Sequence, residues 1–365
     1  MSSGFTPSAP ALPSAALFAS PPKHVCLLRL SAIGDVCHAI ALLRVLQRAW
    51  PETRFTWIVG KPEAQLLALV DGVEVIPFDK RAGLGAIREL GSRLGTRRFD
   101  LLLMLQVALR ASLLSALIPA RVKLGFDRAR ALEGQWLFSN AKIAPRQREH
   151  VLDAVLGFAE ACGVADRTPR WDVALPEAAK HYGERLIPNG APATLVISPC
   201  SSVHARDWLP ERYAAVADYA AERHGMRVIL CGGPSAEERA QGAAIERAAR
   251  SPLVNQIGRD TLPEMLGLLA RAAALVCPDS GPAHMATMVG TPVVCLHATS
   301  NPARTGPYLS RGFCVDRFAD AAQKFRGRSV DEMPWPDRIE QAGVMELIAV
   351  SDATSMLDAL LGSRA

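Results

Sequence analysis

Four short stretches of the sequence place carboxylate, hydroxyl, histidine or arginine side chains beside a turn that follows an apolar run. In the first, residues 28–36, the turn contains Ser31 and Gly34, and Asp35 stands where a helix is predicted to begin. The helix dipole favours negative charge at that end and keeps such a carboxylate ionised. Asp35 is therefore a candidate general base. The alternative is that Asp35 only caps the helix, as asparagine or serine also can.

The second and third stretches have the side chains that hold a nucleotide. Ser201, Ser202 and Arg206 lie in a loop after an apolar run, where hydroxyls, amides and a guanidinium can bind phosphate. The alternative is an ordinary polar loop with an exposed arginine. In the third stretch a Gly-Gly turn precedes Glu237 and Glu238. Either carboxylate can accept hydrogen bonds from ribose hydroxyls, or can simply favour the helix dipole.

The fourth stretch, residues 278–286, has the features of an anion site at a helix start. Ser280 or Gly281 occupies the cap position, and a proline follows in the first helical turn. The free amide groups of such a turn cradle a diphosphate. Asp279 precedes this turn, and His284 lies within the first turn, within reach of the same anion. A lone histidine on a helix is usually structural, but its place beside this turn favours a functional role.

The elements that position these residues follow a repeated strand–helix pattern. Continuous apolar runs, rather than alternating ones, predict strands buried on both faces of a parallel sheet. The predicted strands are 25–30, 54–59, 73–77, 99–105 and 122–125, and then 194–198, 227–231, 254–257, 274–277 and 293–296. The predicted fold class is α/β, with two Rossmann-like domains whose parallel sheets face a central cleft.

Proline and glycine divide the chain. A stretch rich in both, within residues 168–192, is the best candidate for a domain linker. We predict a disordered tail (1–22), an N-terminal Rossmann-like domain (23–175), a linker (176–192), a C-terminal Rossmann-like domain (193–350) and a C-terminal helix (351–365) that packs back on the first domain.

Composition restricts the cellular setting and the partners. Eight scattered cysteines without a CxxC pair, and an amino terminus without a secretion signal, predict a cytoplasmic protein. No apolar run reaches the roughly 20 residues that a membrane span needs. Eight of the 41 Lys and Arg residues lie within residues 110–148, which suits a phosphorylated or anionic-lipid partner, unless this is an ordinary solvated basic face. Nucleic acid is disfavoured because no aromatic residues interleave with these charges.

The absence of two motifs disfavours two classes of chemistry. No GxGxxG follows the first strand, which weakens a dinucleotide-dependent oxidoreductase. No Asp-x-Asp pair occurs for a nucleotide-bound divalent ion. We therefore expect no metal and no cofactor, with the charge of a bound phosphate met by Arg206 and the helix start near Gly281.

Together the four stretches resemble glycosyltransferase family 9, the ADP-heptose:lipopolysaccharide heptosyltransferases. Residues 31–35 match its SxxGD element, and residues 279–284 match its D-[ST]-G-x-x-H element. The Gly-Gly turn, the serine-rich loop and the strand entry at residues 99–101 are also similar, so the resemblance covers about residues 24–320. Any one motif is weak, but the ordered set is specific.

The resemblance implies GT-B architecture, with an acceptor-binding N-terminal domain (23–175) and a nucleotide-sugar-binding C-terminal domain (193–350). It also implies an inverting transfer of heptose from ADP-heptose to a Kdo–lipid A type acceptor at the cytoplasmic face of the inner membrane, with peripheral membrane contact. Asp35 would be the base, and Arg206 would assist catalysis. The implied donor-binding residues are Ser201, Ser202, Arg206, Glu237 (or Glu238), Asp279, Ser280, Gly281 and His284. For the acceptor we expect Ser31 and Gly34 of the first motif and the basic residues Arg110, Arg128 and Arg130.

One departure from the family pattern leaves alternatives open. Where the family commonly has lysine in a K-x-W pattern, this chain has Arg206 two residues before Trp208. Arginine keeps the charge but presents it with a different geometry, which invites another nucleotide-sugar donor. A nucleotide-sugar epimerase on the same fold would need no lipid acceptor. A non-catalytic nucleotide-sugar-binding protein would not depend on Asp35.

Overall fold

The computed structural model describes residues 17–363. The greater part of the predicted tail, residues 1–16, lies outside the described residues. Residues 17–22, in contrast, lie against the first domain. Phe18 packs on its hydrophobic core, and the Thr53 hydroxyl donates a 2.6 Å hydrogen bond to the carbonyl of Pro22. These contacts hold Phe18 and Pro22, whereas the other four residues of this stretch are exposed.

The described residues form twelve strands and thirteen α-helices. The strands are β1 (His24–Leu28), β2 (Arg54–Gly60), β3 (Val73–Phe78), β4 (Phe99–Met104), β5 (Ala120–Gly125), β6 (Ala141–Lys142), β7 (Thr194–Ile197), β8 (Arg227–Leu230), β9 (Leu253–Asn255), β10 (Ala274–Pro278), β11 (Val293–His297) and β12 (Cys314–Asp316). The helices are α1 (Ile33–Ala49), α2 (Ala64–Leu67), α3 (Leu84–Leu94), α4 (Leu109–Ala116), α5 (Val151–Ala161), α6 (Glu177–Leu186), α7 (Pro210–His224), α8 (Ala236–Ala248), α9 (Leu262–Leu269), α10 (Gly281–Met288), α11 (Pro302–Thr305), α12 (Phe318–Arg326) and α13 (Val350–Gly362).

In this part of the chain the strands form two parallel sheets of six, in the orders β3-β2-β1-β4-β5-β6 and β12-β11-β10-β7-β8-β9. The predicted fold class is confirmed. All ten predicted strands are present, whereas β6 and β12 were missed because runs of two and three residues carry no readable pattern. β1 and β10 lie inside their sheets, and the order reverses beside them. Ligand sites in open α/β sheets lie at such reversals, at the carboxyl ends of the strands.

The predicted linker contains a helix. α6 packs against α9, and Arg227 and Arg271 donate hydrogen bonds of 3.0 and 2.7 Å to the carbonyls of Leu186 and Ile187 at its end. The prolines that suggested a linker stand at the helix boundaries, since Pro176 occupies the N-cap and Pro188 follows the C-cap. Residues 177–187 are therefore attached to the second domain.

The C-terminal helix packs on the second domain, not on the first as predicted. The apolar face of α13, with Ala353, Leu357 and Leu360, is fully buried in the core that contains strands of the second sheet. Asp358 accepts 2.7 Å hydrogen bonds from Tyr219 and His224 at the end of α7. α13 packs on the second domain because its apolar face meets α7 and the second sheet there.

Replacing Gly267 with alanine is expected to destabilise the protein by about 2–3 kcal/mol. α6 and α9 approach so closely that a Cβ at Gly267 would overlap the carbonyl of Ala179 and lie 2.7 Å from its carbon. Urea unfolding checks this result. Gly91, in the exposed interior of α3, is the matched control, because nothing lies within 4 Å of a Cβ there. Gly91→Ala should be neutral or stabilising, and equal effects at both positions would contradict the prediction.

Candidate active site

The first and fourth sequence motifs touch each other between the two domains. α1 starts at Ile33 after β1, and α10 starts at Gly281 after β10, and these two helix starts are in contact. A Cβ on Gly34 would lie 2.5 Å from Cδ2 of His284, and a Cβ on Gly281 would lie 3.1 Å from Cγ2 of Ile33. Only a residue without a side chain fits Gly34 against this ring. The amino termini of two helices, both favourable to anions, therefore point into one cleft.

Asp35 caps its helix and also leaves its carboxylate accessible. Its carboxylate accepts a 3.2 Å hydrogen bond from the amide of Ala32, which caps α1, and it also pairs with the guanidinium of Arg29. The carboxylate is 42% exposed, so a hydroxyl group in the cleft can reach it. Arg29 in turn donates to the carbonyl of Leu105 at the end of β4. Arg29 was missed, although a charged residue after an apolar strand was a signal.

Asp279 is the centre of a buried polar cluster. Its Oδ2 accepts hydrogen bonds from the hydroxyls of Ser300 (2.7 Å) and Thr305 (3.3 Å), and it lies 3.6 Å from the guanidinium of Arg206. Burial by itself raises the pKa of Asp279, but His297, Arg206 and the hydroxyl of Ser300 lower it below its ordinary value. Asp279 is therefore ionised at neutral pH and holds Arg206.

Arg206 is buried between two carboxylates. It donates to the backbone carbonyl of Asp279 (3.2 Å) and to Glu340 (3.3 Å), while its Nε has no partner among the described residues. Glu340 comes from the region beyond residue 320 that the sequence left unexplained. The amide of Ile339 donates a 2.8 Å hydrogen bond to the carbonyl of Thr299 and ties that region to the loop after β11. Arg206 is therefore a fixed cation beside the start of α10.

The two serines of the second motif differ in their surroundings. Ser201 is buried, its amide donates to Asp207 (2.6 Å), and its hydroxyl accepts from the amide of Val203 (3.3 Å). Ser202 is exposed. Burial raises the pKa of Asp207, against the effect of its hydrogen bonds with Ser201 and His204. The loop is thus braced internally through Ser201 and Asp207, and Ser202 remains accessible.

The two glutamates of the third motif also differ. Glu238 folds back over the Gly-Gly turn, where its carboxylate accepts a hydrogen bond from the amide of Gly233 and would lie 2.8 Å from a Cβ on Gly232. Glu237 is exposed on the outer side of α8. Close by, both carboxylate oxygens of Asp260 are buried without a partner in the described chain, and burial raises the pKa of Asp260 to about 7. No sequence signal marked Asp260.

A buried group of three histidines surrounds the contact between the helix starts. The ring of His38, from α1, lies 4.6 Å from that of His284 and 5.8 Å from that of His150. His150 shares a 2.8 Å hydrogen bond through Nε2 with the carbonyl of Gly306, and its Nδ1 accepts from the amide of Leu152. Burial lowers the pKa of all three, that of His150 to about 4. Neutral rings therefore pack His284 against the first domain.

Arg304 is a cation near the cleft that the sequence did not single out. It stands on α11 and forms no ion pair within residues 17–363. Burial and the neighbouring cation Arg338 lower the pKa of Arg304, while the negative charges of Asp35 and Asp279 act in the opposite direction. Its charge lies within electrostatic range of both carboxylates. Arg304 therefore adds a second positive charge to that of Arg206 on this side of the cleft.

The predicted acceptor-side residues occupy two settings. Ser31 and Gly34 lie at the start of α1, half-buried at the cleft. Arg110 and Arg128 are exposed, and neither forms an ion pair with a described residue. Arg130, in contrast, is bound by Asp127 and Glu149 and donates to the carbonyl of Ala144 (2.8 Å). Its charge is therefore already neutralised within the first domain.

Two features concern metals and membranes. Within residues 17–363, no three His, Cys, Asp or Glu side chains are grouped closely enough to hold a metal ion. No helix in the same residues combines the length and apolar character needed to cross a bilayer.

Comparison with known proteins gives one consistent result. Residues 87–332 match the family model described as glycosyltransferase family 9 (heptosyltransferase). The chain is 39% identical over 344 residues to the lipopolysaccharide core heptosyltransferase OpsX of Haemophilus influenzae, which covers 94% of this chain and 99% of that protein. A family 9 glycosyltransferase from Veillonella parvula has a TM-score of 0.76 at 22% identity, covering 93% of this chain and 97% of that one. E. coli heptosyltransferase WaaC with ADP-2-deoxy-2-fluoro heptose has a TM-score of 0.62 at 21% identity, covering 80% and 97%.

Proposed function

Because the chain belongs to glycosyltransferase family 9, we propose that it transfers heptose from ADP-heptose to the inner core of lipopolysaccharide, on a Kdo–lipid A type acceptor. The observation that carries the proposal is the contact between the two helix starts, because Asp35 and the segment 279–284 then lie close together between the two domains. The 39% identity to a lipopolysaccharide core heptosyltransferase over nearly the whole chain supports the substrate class.

The proposed reaction is a single displacement that inverts the anomeric carbon. The acceptor hydroxyl attacks that carbon, its proton passes to the carboxylate of Asp35, and the bond from the carbon to the phosphate oxygen breaks. ADP leaves with the bonding electron pair. The partly exposed carboxylate of Asp35 at the start of α1 is suited to the base role. No second carboxylate is needed as a nucleophile.

The donor diphosphate is proposed to bind at the start of α10, on Ser280, Gly281 and His284, with Arg206 as the counter-charge that Asp279 holds in place. Ser202 is accessible to the phosphates, while Ser201 braces the same loop. Developing negative charge on the leaving group is met by Arg206 and the amides of α10, so the reaction needs no metal. The C-terminal domain therefore binds the donor and the N-terminal domain the acceptor.

Acceptor binding is proposed for the first domain, through Ser31, Gly34, Arg110 and Arg128. Arginines bind phosphates and sugar carboxylates bidentately, which suits an anionic glycolipid. The internal ion pairs of Arg130 support a role in holding residues 127–149 rather than direct contact. Such an acceptor lies in the cytoplasmic leaflet of the inner membrane, so the enzyme acts as a peripheral protein there.

Glu238→Gln is expected to weaken ADP binding roughly tenfold, because a ribose hydroxyl then loses a charged acceptor. The position of Glu238 over the Gly-Gly turn favours Glu238 as the ribose contact, whereas the sequence favoured Glu237. Glu237→Gln is the matched control and should leave the Kd unchanged. Isothermal titration calorimetry with ADP measures both variants. A tenfold effect at Glu237 alone would restore the original choice.

The proposed function is tested by calorimetry of ADP-heptose, UDP-GlcNAc and GDP-mannose without metal, followed by transfer to Kdo–lipid A. Selective binding of ADP-heptose with transfer is the expected result. Preference for another nucleotide sugar would support the same mechanism with a different donor. Arg206, which replaces the family's lysine, is the residue that makes this outcome worth testing. Conversion of the donor without any acceptor would indicate an epimerase. Binding of none of the three would contradict the proposed function and favour a non-catalytic scaffolding protein.

A further inference from the structure

The first domain carries a cluster of exposed leucines. Leu109, Leu113 and Leu117 follow one another at intervals of four along α4 and its C-cap, so they form one stripe. Leu132 and Leu137 stand on the neighbouring segment Leu132–Leu137. We call these five residues the leucine patch, and their exposed fractions range from 49% to 67%. Soluble proteins rarely expose so many large apolar side chains together, and such surfaces mark interaction sites.

The two parts of the patch belong to one surface. α4 packs against the segment Leu132–Leu137, and the amide of Leu109 donates a 2.6 Å hydrogen bond to the carboxylate of Glu133. Between the exposed leucines, Leu114 faces the core and is buried. The exposure therefore belongs to one side of a well-packed helix rather than to a loosely held element.

The patch is bordered by positive charge. Arg110, next to Leu109, and Arg128 are exposed, and neither forms an ion pair with a described residue. The guanidinium of Arg128 lies 4.1 Å from the ring centre of Trp136, which holds it beside the patch. Unpaired arginines around exposed leucines match an anionic bilayer, whose phosphates attract the charges while its acyl region accepts the leucines. A protein partner would need complementary acidic groups.

The patch is also linked to the catalytic cleft. The side-chain amide of Gln135, within the same segment, donates hydrogen bonds to the carbonyls of Met104 (2.8 Å) and Gln106 (3.0 Å). The side chain of Gln106 accepts a 2.8 Å hydrogen bond from the amide of Leu30, directly before Ser31. The segment Leu132–Leu137 and the start of α4 therefore lie at the same end of the first sheet as Asp35. A membrane that contacts the patch would lie beside the acceptor side of the cleft.

We propose that the leucine patch is the surface by which this protein docks on an anionic bilayer, with the leucines at the boundary of headgroups and acyl chains and the arginines on lipid phosphates. The inference rests on the proposed function for its purpose, which is to bring a lipid-anchored acceptor to Asp35. Binding to lipid itself is independent of catalysis and can be measured without a donor.

The experiment is co-sedimentation of the full chain with vesicles of phosphatidylcholine alone and of phosphatidylcholine mixed with phosphatidylglycerol. Wild-type protein is expected to bind the anionic vesicles and to lose binding at high salt. The double variant Leu113→Gln/Leu137→Gln should bind at least roughly tenfold more weakly. Arg110→Gln/Arg128→Gln should lose the preference for anionic vesicles. Leu309→Gln is the matched control, since this leucine is 60% exposed on the second domain.

Two outcomes would overturn the proposal. One is equal binding of the wild type and the leucine double variant. The other is a concentration-dependent dimer in analytical ultracentrifugation that the double variant abolishes, which would identify a second copy as the occupant. Transfer to a deacylated acceptor separates this result from the proposed function. The leucine variant should keep that activity, whereas absence of transfer by wild type would refute the function and leave the vesicle result standing.

Discussion

Asp35→Asn is expected to lower kcat for heptose transfer by roughly 10²- to 10⁴-fold, because the acceptor hydroxyl then has no base to take its proton. Asparagine is nearly isosteric, and its side-chain oxygen can still accept the hydrogen bond from Ala32 that caps α1. The start of α1 should therefore stay folded. The Kd for ADP-heptose should stay within a factor of about three, because Asp35 is proposed to contact the acceptor and not the donor. Steady-state kinetics and calorimetry measure the two quantities.

The fold offers a close control for this experiment. Asp352 stands at the third position of α13, accepts a 2.9 Å hydrogen bond from the amide of Ala349, and pairs with Arg317 at 2.6 Å. This arrangement repeats that of Asp35, Ala32 and Arg29 on a helix that packs on the outer part of the second domain. Asp352→Asn should leave kcat unchanged. If Asp35→Asn also kept the wild-type kcat, Asp35 would act only as a cap, because asparagine preserves that hydrogen bond.

Arg206→Met is expected to lower kcat by roughly 10²- to 10³-fold, because the departing diphosphate loses a fixed cation. It should also lower the free energy of unfolding, since Asp279 would remain as a buried carboxylate without its guanidinium. Arg206→Lys restores the charge and should recover part of both losses. Kinetics at saturating donor and urea unfolding separate the catalytic effect from the structural one.

Arg212 provides the comparison for stability. This arginine donates hydrogen bonds to the carbonyls of Glu346 (2.8 Å) and Ile348 and thereby holds the C-terminal region without reaching the cleft motifs. Arg212→Met should lower the free energy of unfolding and leave kcat nearly unchanged in the folded protein. If Arg206→Met lowers stability alone and kcat stays at the wild-type level, Arg206 is a structural residue and the leaving group is stabilised elsewhere.

The structure brings some of the predicted site residues together and separates others. Gly34, Asp35, Arg206, Asp279 and His284 are brought together around the contact of α1 with α10. Residues whose direction depends on a helical turn were harder to predict. Glu237 and Glu238 are adjacent in sequence, yet one is exposed and the other folds over the Gly-Gly turn. A rotation of about 100° per residue separates these positions.

The sequence by itself determined the strand–helix alternation, the two parallel sheets and the motifs at their carboxyl ends. These features depend on apolar runs, turn residues and helix starts, which are interactions within a few residues of one another. The same local reasoning failed where a segment had no such signal or had an ambiguous one. Prolines at both ends of α6 suggested a linker, because a short helix with few apolar residues resembles one.

Only the tertiary structure decided which distant groups share the site. Arg29 binds the carbonyl of Leu105, 76 residues away, and Arg206 meets Glu340 across 134 residues. The edge-to-face contact of His38 with His284 and the exposure of Leu113 beside the buried Leu114 also depend on how whole helices pack. Such contacts form only when whole helices and strands pack through their apolar faces. The residues that separate the two groups in sequence do not determine the distance between those groups in the folded protein.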